Sequence, residues 1–333
     1  MINPVTVLMS VYNGERWLYE SIESVLEQTF KDFEFIIVND GSQDSSLDII
    51  NTFAVRDQRI RVIDKPNTGL ADSLNLGIGQ ARGEWIARID ADDVCEPNRL
   101  EIQYYEAHLT KELVLLGSAL IEINEFGQRL KTHYYPSSHD QLTTRLINYR
   151  SFFAHSSAFF RNQAVKELGG YRTRIKRSQD YDLWLRLSKI GKIACVVEPL
   201  VRIRKHTGQV SYEEGGHRQI IDSNVALVSH WLRQGNFADP VAAQSVDEEF
   251  ADFWQFVARE MELAKMFEFN CFMRELRKRY DARTLTSLWA IFALSIRSPH
   301  FVLRRISNAL FEDRFAKRLA IKWVAQECKG VET

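Results

Sequence analysis

Cysteine is scarce in this chain of 333 residues. The four present, Cys95, Cys195, Cys271 and Cys328, lie far apart and make no Cys-x-x-Cys pair. That spacing excludes a zinc ribbon and a thioredoxin-type redox motif, and scattered thiols are expected to stay reduced in a cytosolic protein. No basic stretch with a cleavage site precedes the strand-like run Val5-Thr6-Val7-Leu8-Met9, so no signal peptide is expected. The longest apolar run, Leu288–Ile296, falls far short of the roughly 20 residues of a spanning helix. An excess of either charge is also missing. The 43 basic and 44 acidic residues leave a net of -1, and hence no global field to recruit nucleic acid.

Several nucleotide and hydrolase signatures are absent. No Gly-x-Gly-x-x-Gly follows the first strand and no Gly-Lys-Ser/Thr occurs, which excludes a dinucleotide-binding dehydrogenase and a P-loop ATPase. A nucleophile elbow and a metalloprotease helix are missing as well. Internal repeats and low-complexity tracts are not found.

What remains is globular. Hydrophobic residues at 45% and charged residues at 26% match an ordinary folded protein, with length for one large domain and an appendage, or for two domains. The first hundred residues alternate strand and helix. Val5–Ser10, Phe33–Val38, Ile60–Ile63 and Trp85–Ile89 read as strands. Between them, Leu18, Ile22, Val25 and Leu26 share a helical face, Leu47, Ile50 and Phe53 mark a second helix, and Leu70–Ala81 a third. This pattern predicts an α/β fold with a mostly parallel sheet flanked by helices. Ligands of such sheets bind beyond the carboxyl ends of the strands, where the polar clusters at 10–14, 39–42 and 90–93 fall.

The middle is less regular. Leu113–Ile123 reads as one or two strands, Gly127 as a turn, and Ala158-Phe159-Phe160 as a short strand before a helix ending near Gly169-Gly170. Tyr181–Leu187 starts another helix, and Ile193–Val197 is a strand expected to stop at Pro199. From about His217 onward glycine becomes rare and helical periodicity dominates. Leu303, Ile306 and Leu310 share a face, as do Phe311, Phe315 and Leu319, and residues 274–322 carry twelve Lys/Arg against four Asp/Glu. Such a segment either packs on the catalytic domain or lies on an anionic membrane, where each cation adds about 1 kcal/mol.

Four polar clusters could carry chemistry, and each has two readings. Asp90-Ala91-Asp92-Asp93 puts three carboxylates in four residues. They repel one another unless a cation is present, and hard oxygen ligands suit Mg²⁺ or Mn²⁺. The other reading is a solvated turn capping the helix after Pro97. Asn39-Asp40-Gly41-Ser42, followed by Asp44, is an Asp-Gly turn with an N-cap, or it places Asp40 on a nucleobase or ribose. In Ser178-Gln179-Asp180-Tyr181-Asp182-Leu183-Trp184, Leu183 and Leu187 are core. The acidic pair either complements a helix dipole or offers Asp180 as a general base for a sugar hydroxyl. Arg202-Ile203-Arg204-Lys205-His206 is either a solvated surface or a clamp on a diphosphate, with His206 on the metal.

The ordered set of motifs resembles the bacterial family 2 glycosyltransferases of the GT-A fold. The pieces are Ser10-Val11-Tyr12-Asn13-Gly14; Asn39-Asp40-Gly41-Ser42; Asn67-x-Gly69 with Asn75-x-Gly77; Gly83-Glu84-Trp85-Ile86-Ala87-Arg88-Ile89-Asp90-Ala91-Asp92-Asp93; His155; Gly169-Gly170-Tyr171; and Gln179-Asp180-Tyr181-Asp182-Leu183-Trp184. They run in order through residues 5–210. The resemblance implies the nucleotide-diphospho-sugar transferase fold over residues 1–215, with a donor half at 1–98, an acceptor and base half at 99–215, and a helical region at 216–333.

It also implies roles. Asp40 contacts the base, helped by backbone near Val11 and Tyr12. Asn13, Glu15, Asn67, Gly69, Asn75, Arg88 and Ala91 line the nucleotide-sugar site, and Asp90 lies near the ribose. Asp92 or Asp93 holds Mn²⁺ or Mg²⁺, with His206 as a further ligand and Arg202 and Arg204 on the diphosphate. Asp180 is the base of an inverting displacement. The implied donor is a UDP-, GDP- or dTDP-linked sugar, and the acceptor a glycan or lipid-linked glycan hydroxyl in bacterial surface polysaccharide synthesis such as that of lipopolysaccharide, at the inner face of the cytoplasmic membrane. Two departures stand out: Gln179 where many members have Glu, and Ile203 where an aromatic is common. Two other classes compete. A sugar-nucleotide nucleotidyltransferase would need a Gly-rich basic signature after Val5–Met9, which is absent. A non-catalytic nucleotide-binding or scaffold protein would not need Asp40, Asp90, Asp92 and Asp180 intact.

Overall fold

Seven residues with no charge among them, Val5–Val11, form strand β1, and all but Ser10 are buried. β2 (Phe33–Asp40) is buried along its whole length, as expected where helices cover both faces of a parallel sheet. In the computed structural model these strands and β3 (Ile60–Lys65) and β4 (Trp85–Arg88) alternate with helices α1 (Glu15–Leu26), α2 (Ser46–Arg56) and α3 (Leu70–Gln80). The structure describes residues 4–148, 152–206, 217–242, 244–263 and 312–330.

Further along come β5 (Val94–Cys95), α4 (Arg99–Leu109), β6 (Leu113–Asn124), β7 (Arg129–His133) and α5 (His139–Ile147). A 3-10 turn at His155–Ser157 then leads into β8 (Phe159–Arg161), α6 (Asn162–Glu167), α7 (Gln179–Ile190) and β9 (Lys192–Lys205). The strands join in one sheet of order β3-β2-β1-β4-β8-β6-β9-β5, with β7 on β6. Pairing is parallel through β3, β2, β1 and β4 and again along β6 and β9, with short antiparallel junctions elsewhere. Register aligns Val11 with Asn39 and Asp40 with Lys65, so the polar strand ends gather at one edge.

The core follows from the alternation. Leu18, Ile22 and Val25 bury one face of α1 among Val5, Val7, Phe35 and Ile37 of the sheet, each worth about 1.5–3 kcal/mol on burial. Trp85 is fully buried and stacks on Phe159 at 5.2 Å, with the Arg161 guanidinium 4.6 Å from the Trp85 ring centroid.

Leu113–Asn124 is one continuous strand, one of the two alternatives left open by the sequence. Two details differ from the sequence reading. β7 follows the Gly127 turn as an exposed edge strand, where polar and basic residues hide the strand signal. β9 runs through Pro199 instead of ending there. Ser118 pairs with Val196 but Ala119 pairs with Pro199, so Val197 and Glu198 bulge out of the ladder and proline sits where the register slips.

The chain divides into two compact units, residues 1–146 with 150–213, and residues 147–149 with 214–333. Described helices of the second unit are α8 (His217–Gln234), α9 (Asp247–Leu263) and α10 (Glu312–Gly330). Trp323 of α10 packs against Phe253 and Phe256 of α9. Lys317 lies 5.1 Å from the Trp231 ring centroid, and Lys322 pairs with Glu260 at 2.7 Å. Two cations of the basic segment are thus engaged within the unit. Leu288–Ile296, Leu303, Ile306, Leu310 and Phe311 lie outside the described residues. Among the described residues no helix is long and apolar enough to cross a membrane.

Candidate active site

The acidic cluster follows β4. Asp90, Asp92 and Asp93 can bring one oxygen each within 4.8 Å of one another. Their surroundings differ. Arg88 is almost wholly buried and grips both oxygens of Asp90 with its two terminal nitrogens, a bidentate pairing. It also donates to Ser156 Oγ at 2.9 Å. Asp93 is buried, with Ser156 Oγ 2.5 Å from Oδ2 and the Arg204 backbone N–H donating to Oδ1 at 2.9 Å. Asp92 meets His206 Nε2 through Oδ2 at 2.9 Å.

Electrostatics separate the same carboxylates. Burial pushes Asp93 well above the ordinary carboxylate range, and the charges of Asp92 and Asp90 push it further. Asp92 is raised by burial and by Asp90, against the opposing pull of His206. The fold therefore crowds negative charge that a hard divalent cation would neutralise. The donor set fits such an ion: three carboxylates with a neighbouring imidazole.

Two loops at the strand ends lock together. The Asn13 N–H donates to Ser42 Oγ at 3.1 Å, and Asn13 Oδ1 accepts from the Gln43 N–H at 2.8 Å. The Glu15 carboxylate accepts from the Ser45 N–H at 2.8 Å, while the Glu15 N–H donates to Asp44 at 3.0 Å. Asn13 and Glu15 thus spend these groups on the neighbouring loop. Asn13 adopts the left-handed region at φ +50°, which asparagine tolerates. Val11 is buried and Tyr12 is 53% exposed at the end of β1. A cleft of about 640 Å³ is lined by Asn13, Glu15, Arg16, Trp17, Gln43, Asp44 and His206.

Asp40 is similarly committed. Its carboxylate pairs with Lys65 and accepts the N–H groups of Thr68 and Gly69, both at 2.9 Å. Burial opposes its charge, but Lys65 and the two amides prevail and hold its pKa below the usual value. Gly41 adopts φ +69°, and a Cβ there would lie 2.7 Å from the Asn67 nitrogen, so only glycine fits the approach of the Asn67–Gly69 loop. Ala91 is half-buried within the acidic turn and Asn67 is exposed.

Asp180 stands in the first turn of α7, after Ser178 in the left-handed region at φ +59°. Its Oδ1 accepts the Tyr181 N–H at 2.8 Å. Burial raises its pKa, Arg88 opposes the rise and Asp90 adds to it, so Asp180 and the acidic cluster share one electrostatic field. Asp182 is different: it is fully buried and paired with Arg186 at 2.8 Å, and Arg186 also donates to the Leu168 and Gly170 carbonyls.

His155 and Tyr171 belong to the motif series but carry no assigned role in it. His155 Nε2 and the Tyr171 hydroxyl lie 2.7 Å apart, and burial together with Arg88 drives the His155 pKa well below its usual value. Asn75 holds the Tyr171 backbone at both ends, accepting its N–H at 2.7 Å and donating to its carbonyl at 2.8 Å. Its amide thereby holds the Tyr171 backbone. Ser156, Lys65 and Trp17 carry no spacing signal of their own. The basic strand splits: Arg202 pairs with Glu96 at 2.7 Å, whereas Arg204 and His206 come to Asp92.

A mostly parallel sheet with an acidic cluster and a basic strand gathered beyond β4 matches the GT-A class of nucleotide-sugar transferase folds. Comparison with known proteins agrees. The family model described as Glycosyl transferase family 2 matches residues 6–169. The amylovoran biosynthesis glycosyltransferase AmsE of Erwinia amylovora is 32% identical over 217 residues, covering 63% of this chain and 79% of AmsE. The chain belongs to glycosyl transferase family 2. It spans about a fifth of the length of the chondroitin synthase of Pasteurella multocida, to which it is 30% identical over 215 residues. Two solved structures share the fold. TarS 1-349 of S. aureus in complex with UDP-GlcNAc aligns with TM-score 0.59 at 18% identity, covering 97% of this chain and 92% of that one. The mannosyltransferase PcManGT of Pyrobaculum calidifontis, in complex with GDP-Man and Mn²⁺, aligns with TM-score 0.53 at 16% identity, covering 93% and 87%.

Proposed function

We propose that this protein is an inverting glycosyltransferase that moves a sugar from a nucleotide diphosphate to a hydroxyl of a glycan or lipid-linked glycan in surface polysaccharide biosynthesis. The observation that carries the reading is the cluster of Asp90, Asp92 and Asp93 beyond β4, with Asp180 in the first turn of α7 raised in pKa by burial and by the charge of Asp90. A carboxylate moved upward is a better proton acceptor for a sugar hydroxyl. The acceptor oxygen attacks the anomeric carbon as its proton passes to Asp180. The bond from that carbon to the diphosphate breaks with its electron pair, and the configuration inverts. Asp92 or Asp93, with His206, are the residues that would hold Mn²⁺ or Mg²⁺, with Asp90 towards the ribose. The bound ion would neutralise charge on the departing diphosphate. Arg88 fixes Asp90, and Ser156 with the Arg204 amide fixes Asp93.

The structural likeness to proteins solved with UDP-GlcNAc and with GDP-Man and Mn²⁺ supports a nucleotide-sugar donor and a divalent ion. Likeness to AmsE supports a polysaccharide acceptor. The domain reading places catalysis in residues 1–215 and a helical appendage in 216–333. Its basic and apolar pattern supports peripheral contact with anionic membrane at the cytoplasmic face, which vesicle sedimentation with and without anionic lipid tests.

Asp180→Asn is the test of the base. Transfer should fall about 10²–10⁴-fold, the usual contribution of a positioned base, while donor binding stays near wild type. Full retained transfer would refute the assignment.

A further inference from the structure

Arg204 stands out among the groups the proposed reaction does not consume. It is a charged side chain buried on β9, and its three nitrogens reach three separate elements. Nε donates to the Asp92 carbonyl at 3.0 Å, one terminal nitrogen to the Glu125 carbonyl at 3.3 Å, and the other to Glu20 Oε2 at 2.5 Å. Its own N–H donates to Asp93 Oδ1 at 2.9 Å.

The same guanidinium lies 5.6 Å from the Trp17 ring centroid. Trp17 donates from Nε1 to the Glu125 carbonyl at 3.3 Å and stands 4.2 Å, centroid to centroid, from His206. His206 meets Asp92 Oδ2 at 2.9 Å. Asp92 is therefore gripped at two points. Arg204 binds its carbonyl directly, and its carboxylate is braced by His206, which leans on the ring that Arg204 covers. Glu20 of α1 and Glu125 of the turn between β6 and β7 fix Arg204 in turn.

We propose that Arg204 is a positioning residue for the metal-binding carboxylate of Asp92, and not a clamp on the donor diphosphate. A planar fork suits this task, because it can hold three acceptors in one fixed geometry where a lysine ammonium presents a single mobile point. A partner of this kind, once removed from a metal ligand, lowers metal affinity by about 10–100-fold.

This inference rests on the reading of Asp92 as a metal ligand, and the experiment separates the two. Free Mn²⁺ is counted by electron paramagnetic resonance in titrations of wild type, Arg204→Gln and Arg204→Lys, each with UDP and with GDP present. Thermal unfolding verifies that each variant is folded, and the lysine variant serves where the glutamine variant is not. Arg204→Gln and Arg204→Lys should each weaken Mn²⁺ by about tenfold or more, and raising Mn²⁺ should restore turnover without a change in donor KM. Wild-type Mn²⁺ affinity in a folded variant overturns the role of Arg204 and leaves the metal reading standing. So does a defect in donor KM that excess Mn²⁺ does not relieve, since that is the signature of a diphosphate clamp. No Mn²⁺ binding by wild type with either nucleotide overturns both.

Discussion

Ser156 and Asp93 are joined by a contact of 2.5 Å between the serine Oγ and the carboxylate Oδ2, and the same hydroxyl lies 2.9 Å from Asp90 Oδ2. A hydroxyl has one proton, so it donates to one of the two carboxylates at a time. Ser156 also accepts from Arg88 and from the Asp90 N–H. Ser156→Ala would leave a buried carboxylate short of a donor, at about 1–3 kcal/mol. Urea unfolding of the metal-free variant should show that loss. An unchanged midpoint would mean that Asp93 draws its support elsewhere.

Asn75 gives a second prediction. Its two hydrogen bonds to the Tyr171 backbone hold the hydroxyl that meets His155. Asn75→Ala should lower stability by about 1–3 kcal/mol and reduce turnover, with nucleotide affinity close to wild type. Calorimetric binding of the nucleotide checks it. Lost binding in a variant of unaltered stability would instead make Asn75 a donor contact.

Glu34 supplies a pH dependence away from the site. It is buried and accepts from Arg61 at 2.7 Å, Thr6 at 2.8 Å and the Arg82 N–H at 2.6 Å. Burial alone would raise its pKa, but these donors prevail and lower it from 4.5. A carboxylate depressed on folding adds stability above its unfolded pKa, and that stability is lost as pH falls through the folded value. The gap in unfolding free energy between wild type and Glu34→Gln should be widest above pH 4.5 and should narrow below it. Denaturant titrations across the acid range would contradict this by returning a constant gap.

Much of the fold was legible because strands covered on both faces are written as continuous apolar runs. Val5–Val11 and Phe33–Asp40 are such runs, and the helical face of Leu18, Ile22 and Val25 falls between them. β7 was not legible, because an exposed edge strand such as Arg129–His133 has no buried face to imprint a pattern. The passage of β9 through Pro199 depends on a register slip against β6, which belongs to the pairing and not to the segment. In the site, the acidic cluster and Asp180 stood out as charges beside strand and helix ends. The commitments of Asp40 and Arg204 did not, because Lys65, Glu20 and Glu125 reach them from remote parts of the chain. Arg202 and Arg204 look alike in sequence yet end on different partners for the same reason.

The central claim is that Asp92 with its neighbours forms a metal-dependent nucleotide site. Isothermal titration of UDP, GDP and dTDP, each with Mn²⁺ or Mg²⁺, into wild type and Asp92→Asn tests it most directly. The account predicts that one nucleotide binds wild type only when the metal is present, and that Asp92→Asn abolishes this binding. Failure of all three nucleotides to bind with either ion, or full retention of binding by Asp92→Asn, would contradict it.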